Sequence, residues 1–263
     1  MLLDENQIRA FQENGFLIVK DLLTEEECDE LNARAVDVVE GKVKLAEGSG
    51  EIYMEPDALK LGLVTAEKPD PAYLFKLGHH MHMTDPVFKY YAMHENVLDV
   101  LNDLIGPDIK CVQSMYIDKP KKMGIGQPYH QDSHYLLTEP DTLLAVWIAC
   151  DDVDEANGGL HVVPGSHNDP IHPHETPINP EQSYYHEVRG ARNRAEAACN
   201  LSKGSAVFFP GRMLHRSGNN LTEDRHRRAY VLHYANARSI WVRDPAVRNP
   251  FLLARGRQYN GCL

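Results

Sequence analysis

From about residue 106 onward the chain is a series of short β-rich segments, at 111–117, 143–149, 160–163, 206–209 and 229–234. Clusters of Gly, Pro, Asn and Asp separate them. Strands of this length in series have few ways to bury an apolar face, and a sandwich or a closed barrel is the usual solution. The part before residue 105 reads differently. Asp4-x-x-Gln7 and Thr24-x-x-Glu27 are capping boxes that open helices. Gly15-Phe16-Leu17-Ile18-Val19 is a strand signal between them, and residues 86–105 carry apolar positions at helical spacing. Residues 41–75 have little periodicity and predict loops with a hairpin. The expected fold is therefore mainly β with flanking helices (α+β). It is a single domain over 1–263, with a helical N-terminal part (1–105), a β core (about 106–240) and a C-terminal tail (241–263). The 166–200 stretch holds four prolines and four histidines between two strand segments. Connections that long are uncommon unless they serve a function.

Charge and cysteine content exclude several functions. A net charge of −11 opposes phosphate-backbone binding, so no nucleic-acid partner is expected. No apolar run reaches the roughly 18 residues of a membrane span, so no membrane partner is expected. The first residues lack the basic and apolar regions of a signal peptide. Five cysteines with no CxxC pair fit a reducing cytoplasm better than a disulfide scaffold.

Fourteen histidines direct attention to metal chemistry. The sharpest signal is Tyr129-His130-Gln131-Asp132-Ser133, followed 85 residues after His130 by His215 in Leu214-His215-Arg216-Ser217-Gly218. Residues i and i+2 of an extended segment point to one side, so His130 and Asp132 can face one ion. His215 follows the 206–209 strand and could approach from its neighbour. Two imidazoles and a carboxylate leave three positions open, as iron(II) oxygenases require. An isolated HxD is more often a surface histidine beside a turn-capping aspartate, and the argument rests on the remaining residues. Arg225, Arg227 and Arg228 at the start of the last strand compete to hold an anionic ligand with a planar fork.

At these residues the sequence resembles the phytanoyl-CoA dioxygenase family. The likeness runs through Phe11-x-x-Asn14-Gly15-Phe16, Pro128-Tyr129-His130-Gln131-Asp132-Ser133-His134-Tyr135 and Trp147-Ile148-Ala149-Cys150-Asp151-Asp152. It continues in Asn157-Gly158-Gly159-Leu160-His161-Val162-Val163-Pro164-Gly165-Ser166-His167 and Arg227-Arg228-Ala229-Tyr230. The resemblance implies a double-stranded β-helix (jelly roll) with Fe(II), 2-oxoglutarate and dioxygen as cofactor and co-substrates. His130, Asp132 and His215 match the iron ligands, while Arg227 and Ser217 match the anchors of the 2-oxoglutarate tail. Lys76 resembles a lysine that reaches the co-substrate, Met115 and Trp147 match positions lining the pocket, and Gln131 matches a residue beside the metal. The family's arginine lies eleven residues after the distal histidine, where this chain has His226. A one-residue insertion in 222–226 restores Arg227, whereas a register error would transfer the role to Arg228. Related halogenases carry a small residue at the Asp132 position, so hydroxylation of a small organic metabolite, releasing succinate and carbon dioxide, is the expected outcome. Desaturation, cyclisation, epimerisation or a non-catalytic metal-binding jelly roll stay open, as does the oligomeric state. The 166–200 connection, with 41–75, is expected to form a rim or lid over the metal mouth.

Overall fold

In the computed structural model, residues 3–47, 49–242 and 251–263 are described. The N-terminal part begins as the capping boxes predict. Helix α1 (Glu5–Asn14) starts with Asp4 accepting from Gln7 N–H, and Thr24 caps α2 (Glu25–Val39) in the same way. Strand β1 (Leu17–Val19) lies between them. Next come β2 (Glu51–Met54), the short α3 (Pro56–Lys60) and β3 (Leu74–Gly78), with β2 and β3 paired antiparallel. Residues 81–105 hold α4 (Met81–Thr84), α5 (Pro86–Ala92) and α6 (Glu95–Ile105). The single helical run expected over 86–105 is thus two helices. Asp85 accepts from the Val87 and Phe88 amides to open α5, and Met93 and His94 break the run.

The β core follows with β4 (Ile109–Lys119), β5 (Gln127–His130), β6 (Thr138–Glu139), β7 (Leu144–Ala149) and β8 (Leu160–Val162). It continues with β9 (Ala197–Cys199), β10 (Ala206–Pro210), β11 (His215–Ser217), β12 (Arg227–Asn236), β13 (Ile240–Trp241) and β14 (Leu252–Arg255). A large antiparallel sheet has the order β1-β10-β7-β12-β4-β3-β2, with β14 added to β4, and a smaller sheet has the order β5-β11-β8-β9. The segment before residue 105 is therefore not only helical, since it supplies strands to both ends of the large sheet. The tail likewise returns to the sheet through β14, while its residues 243–250 lie outside the described residues.

Period-two alternation explains how the large sheet is covered on both faces. On β7 the even residues Leu144, Val146 and Ile148 pack with Tyr230, Leu232 and Tyr234 of β12 against the helices. The odd residues Ala145, Trp147 and Ala149 face inward with Val231, Leu160 and Val162, and this second core joins the two sheets. Buried tyrosines dock the helices through their polar ends: Tyr230 and Tyr234 donate to the Phe88 and Ala92 carbonyls at 2.8 and 2.9 Å. Tyr116 donates to Asn32 at 2.7 Å, and Asn32 donates to the Cys150 carbonyl at 3.0 Å. Each such bond contributes about 1 kcal/mol net, and each would cost more if broken on one side only. The inward face of the large sheet and the facing small sheet enclose the space in which the conspicuous histidines meet. This is the jelly roll expected from the sequence.

Candidate metal centre and its pocket

Strand β11 brings the distant histidine into place. It pairs with β5 on one side, setting His215 opposite His130, and with β8 on the other. The turn after β10 makes the approach possible. Ser133 N–H donates to the Gly211 carbonyl at 2.9 Å, and a Cβ at Gly211 would lie 2.4 Å from Ser133 Oγ. Only glycine lets the two segments come this close.

His130, Asp132 and His215 are buried, and one ligand atom from each lies within 4.8 Å of the others. Asp132 Oδ1 is 3.6 Å from His130 Nε2 and 3.8 Å from His215 Nε2. Backbone carbonyls set both imidazoles. His130 Nδ1 donates to Pro128 O at 2.9 Å and His215 Nδ1 donates to Met213 O at 3.0 Å, leaving the Nε2 lone pairs for a metal. The Gln127 amide nitrogen donates to His130 Nε2 at 2.9 Å, which agrees with that tautomer. Burial, reinforced by His215, pushes the His130 imidazole down to about 3 and keeps it neutral. Burial works against ionisation of Asp132, but His215, His233 and His130 outweigh it and hold the carboxyl below the usual range. His233 Nε2 lies 3.2 Å from the second Asp132 oxygen. A preoriented, neutral-imidazole and carboxylate donor set suits a divalent first-row ion such as iron(II).

Below the three ligands lies a cavity of about 330 Å³. Its depth follows the β4–β12 ladder, where Lys119 faces Arg227, Met115 faces Val231 and Gln113 faces His233. Arg227 is 2% exposed, its Nε and Nη1 have no hydrogen-bond partner, and its guanidinium stands 5.2 Å from the Trp147 ring centre. Burial pushes its pKa down to about 10. The competing basic residues are engaged elsewhere. Arg228 grips Asp151 at 2.8 and 2.6 Å, Arg225 grips Asp154 at 2.8 and 3.1 Å, and His226 lies 3.0 Å from Asp118. Asn220 and Thr222 hold the 222–226 loop through the Arg225 carbonyl, and Arg227, two residues further on, lines the cavity.

Ser217, Lys76, Met115 and Trp147 also line the cavity. The Lys76 ammonium sits 4.7 Å from the Tyr53 ring centre, and burial lowers its pKa. Gln131 departs from the expectation. It lies between His130 and Asp132 in sequence, so its side chain turns to the opposite side. There it accepts from His172 N–H at 2.8 Å and donates to Arg212 O at 2.7 Å and Pro170 O at 3.2 Å. It ties the connection after β8 to the metal-bearing segment and does not line the cavity.

The connection at 166–200 reaches the site. Tyr184, Tyr185 and His186 line the cavity, Tyr185 meets Phe75 edge-on at 6.3 Å, and Val188 N–H donates to Tyr129 O at 2.7 Å. Among the described residues of 41–75 only Phe75 lines it. Tyr135 lines it as well, whereas Tyr116 faces the helices. His79 lines the mouth, while His82 is buried beside Ser114 Oγ at 2.7 Å, and the described residues form no second metal cluster there. Sequence reasoning passed over Lys119, Gln127 and the contact of His233 with Asp132. The signal for Lys119 was available, because Gln113, Ile117 and Lys119 share the inward parity of Met115 on β4.

The described residues contain no helix long and apolar enough to cross a membrane. Comparison with known proteins agrees with the site. The chain is 30% identical to a probable phytanoyl-CoA dioxygenase of Caenorhabditis elegans, covering 89% of this chain and 76% of the relative. It is 28% identical to a phytanoyl-CoA dioxygenase domain-containing protein 1 of Danio rerio (91% and 93%) and 27% identical to a peroxisomal phytanoyl-CoA dioxygenase of Bos taurus (92% and 71%). Among solved structures, the α-ketoglutarate-dependent carbocyclase SnoK matches with a TM-score of 0.69 at 20% identity, covering 93% of this chain and 90% of that one. EctD from S. alaskensis matches with a TM-score of 0.70 at 19% identity, covering 99% and 86%. These likenesses establish the shared fold. The phytanoyl-CoA dioxygenase (PhyH) profile matches residues 11–229, and the chain belongs to that family of oxygenases using iron, 2-oxoglutarate and dioxygen.

Proposed function

We propose that this chain hydroxylates a small organic metabolite, with Fe(II) held by His130, Asp132 and His215. The 2-oxoglutarate tail lies against Arg227 and Ser217, flanked by Lys76, Met115 and Trp147. One observation carries the reading: a fully buried guanidinium with two unengaged N–H groups shares one cavity with the three-ligand cluster. A buried charge without a partner is costly, so such a cavity is built for an anion. Iron and 2-oxoglutarate, when bound, would supply dioxygen activation with succinate and carbon dioxide as co-products. The chain's own work is positional. The Pro128 and Met213 carbonyls orient the imidazoles, His233 steadies the outer Asp132 oxygen, and Tyr184, Tyr185 and His186 exclude water from the mouth. A volume of about 330 Å³ suits a small substrate, and most of an acyl-CoA would remain outside it. Five free cysteines, four of them buried, support a reducing compartment such as the cytoplasm.

The test is a metabolite-library screen on the anaerobically iron-loaded protein, scoring substrate-stimulated succinate and a product heavier by one oxygen atom. Asp132→Ala is expected to weaken metal binding by at least about 10-fold and to abolish hydroxylation without unfolding the protein, in line with loss of a direct ligand. A product of altered mass without added oxygen would move the assignment to desaturation or cyclisation, and full hydroxylation by Asp132→Ala would refute the metal centre.

A further inference from the structure

Arg227 is not the only buried cation at the deep end of the cavity. Lys119 is its direct partner across the β4–β12 ladder, so both side chains point to the same side, and both are 2% exposed. Among the described residues neither is ion-paired with a carboxylate. The Lys119 ammonium donates instead to Ser217 Oγ at 2.8 Å and to the Gly218 carbonyl. Gln127 N–H donates to the same Ser217 oxygen at 3.3 Å. A hydroxyl accepts through two lone pairs and donates one hydrogen. With both lone pairs taken, the Ser217 hydrogen is left for a third group, and Ser217 lines the cavity.

We propose that Lys119 is a positioning residue for the distal carboxylate of the co-substrate, fixing the Ser217 hydroxyl as a donor and setting a second positive charge beside Arg227. This rests on the reading that 2-oxoglutarate binds with its tail toward Arg227. Two adjacent buried cations repel one another and lack solvation, so the empty arrangement is costly and a carboxylate relieves it. Burial, with repulsion from Arg227 and Arg216 and partial compensation by Glu55, holds the Lys119 pKa well below its ordinary value. An arriving anion reverses that balance. Lys76 is differently placed, one strand away and over the Tyr53 ring. The pair therefore selects 2-oxo acids that carry a second carboxylate over those that do not.

Calorimetric titration of the cobalt(II)-loaded full chain with 2-oxoglutarate and with pyruvate, which lacks the distal carboxylate, tests this without turnover. Lys119→Met is expected to weaken 2-oxoglutarate binding by at least about 10-fold, the scale of one charge-assisted hydrogen bond, and to leave pyruvate binding within about twofold. Lys119→Gln keeps a donor for Ser217 but no charge, so it should lose less than Lys119→Met with the same selectivity for the dicarboxylate. It also carries the comparison if the methionine variant does not fold. Unchanged 2-oxoglutarate affinity in Lys119→Gln, or equal losses for both ligands, would overturn the assignment. A wild-type chain that binds pyruvate and 2-oxoglutarate equally would refute the orientation of the co-substrate itself.

Discussion

Replacing Arg227 by lysine retains a positive charge but loses the planar fork, so it isolates what geometry contributes. The guanidinium has two unengaged N–H groups, Nε and Nη1, at a position 2% exposed. If both meet the distal carboxylate, a lysine ammonium on a shorter reach keeps one contact and forfeits the other. A hydrogen bond to a charged group is worth about 1.5–3 kcal/mol, which at about 1.4 kcal/mol per decade is a loss of roughly 10- to 150-fold in 2-oxoglutarate affinity. Arg228→Lys is the matched control. Its fork holds Asp151 at 2.8 and 2.6 Å on the other side of the strand, with a side chain about 30% exposed. Partly solvated pairs contribute about 1 kcal/mol or less. That variant should lose a little thermal stability and bind 2-oxoglutarate within about twofold of wild type. Equilibrium titration of both variants loaded with cobalt(II) makes the comparison, with the metal affinity measured alongside. Weakened binding in Arg228→Lys alone would show that the β12 register at the co-substrate differs from the one described. Equal affinity in all three proteins would refute the anchor.

Two further outcomes concern the mouth and a buried carboxyl outside the cavity. Amide exchange at Tyr184–Val188 should slow by at least about 10-fold when metal, 2-oxoglutarate and substrate are all bound, since closing the mouth stabilises this segment by about 1.4 kcal/mol or more; unchanged exchange, together with wild-type turnover after shortening 166–200, would make the connection a mere insertion. Burial pushes the Glu55 carboxyl up to about 8 from an unfolded value of 4.5. Between those values the folded chain keeps a proton that the unfolded chain has released, so stability falls as pH rises through that window. Glu55→Gln removes this slope, and its melting temperature relative to wild type should rise from pH 5 to pH 8; a difference independent of pH would contradict the buried carboxyl.

The fold was legible wherever one periodicity governed a whole element. The strand at 143–149 differs from β7 by one residue at its start, and that at 229–234 falls two residues short of β12 at each end, because both faces of that sheet are buried and the apolar run marks the buried part. The capping boxes located α1 and α2 because their signal is chemical and local. What failed was non-local. Nothing in Leu252-Leu253-Ala254-Arg255 announces pairing with β4, whereas the hairpin expected over 41–75 is present as β2 paired with β3. The break between α5 and α6 was hidden because Tyr90, Tyr91 and Val97 keep helical spacing across it. Gln131 was misplaced for an opposite reason. Its neighbours' parity already put it on the far side, but the family likeness outweighed the alternation.

The same contrast divides the two ends of the cavity and accounts for how far the family name reaches. The deep end is built from β4 and β12, whose register is unbroken over seven residue pairs from Arg227–Lys119 to His233–Gln113, before a bulge shifts it. On such a ladder one inward residue determines the parity of the rest, so Arg227 implies Val231 and His233, and Met115 implies Gln113 and Lys119. A co-substrate that every member must bind belongs on this kind of frame, since a register slip would move the whole set to the other face. The mouth is assembled from Phe75, His79, Tyr135 and Tyr184–His186, which come from segments far apart in sequence. Their meeting depends on loop closure, and no period in the chain encodes it. Loops accept substitution and insertion that a ladder does not, so members of one family can keep the iron and 2-oxoglutarate chemistry while exchanging substrates. We propose that specificity in this chain resides in those few side chains at the mouth of the cavity. Changes there should alter which metabolite stimulates succinate formation and leave 2-oxoglutarate affinity nearly unchanged.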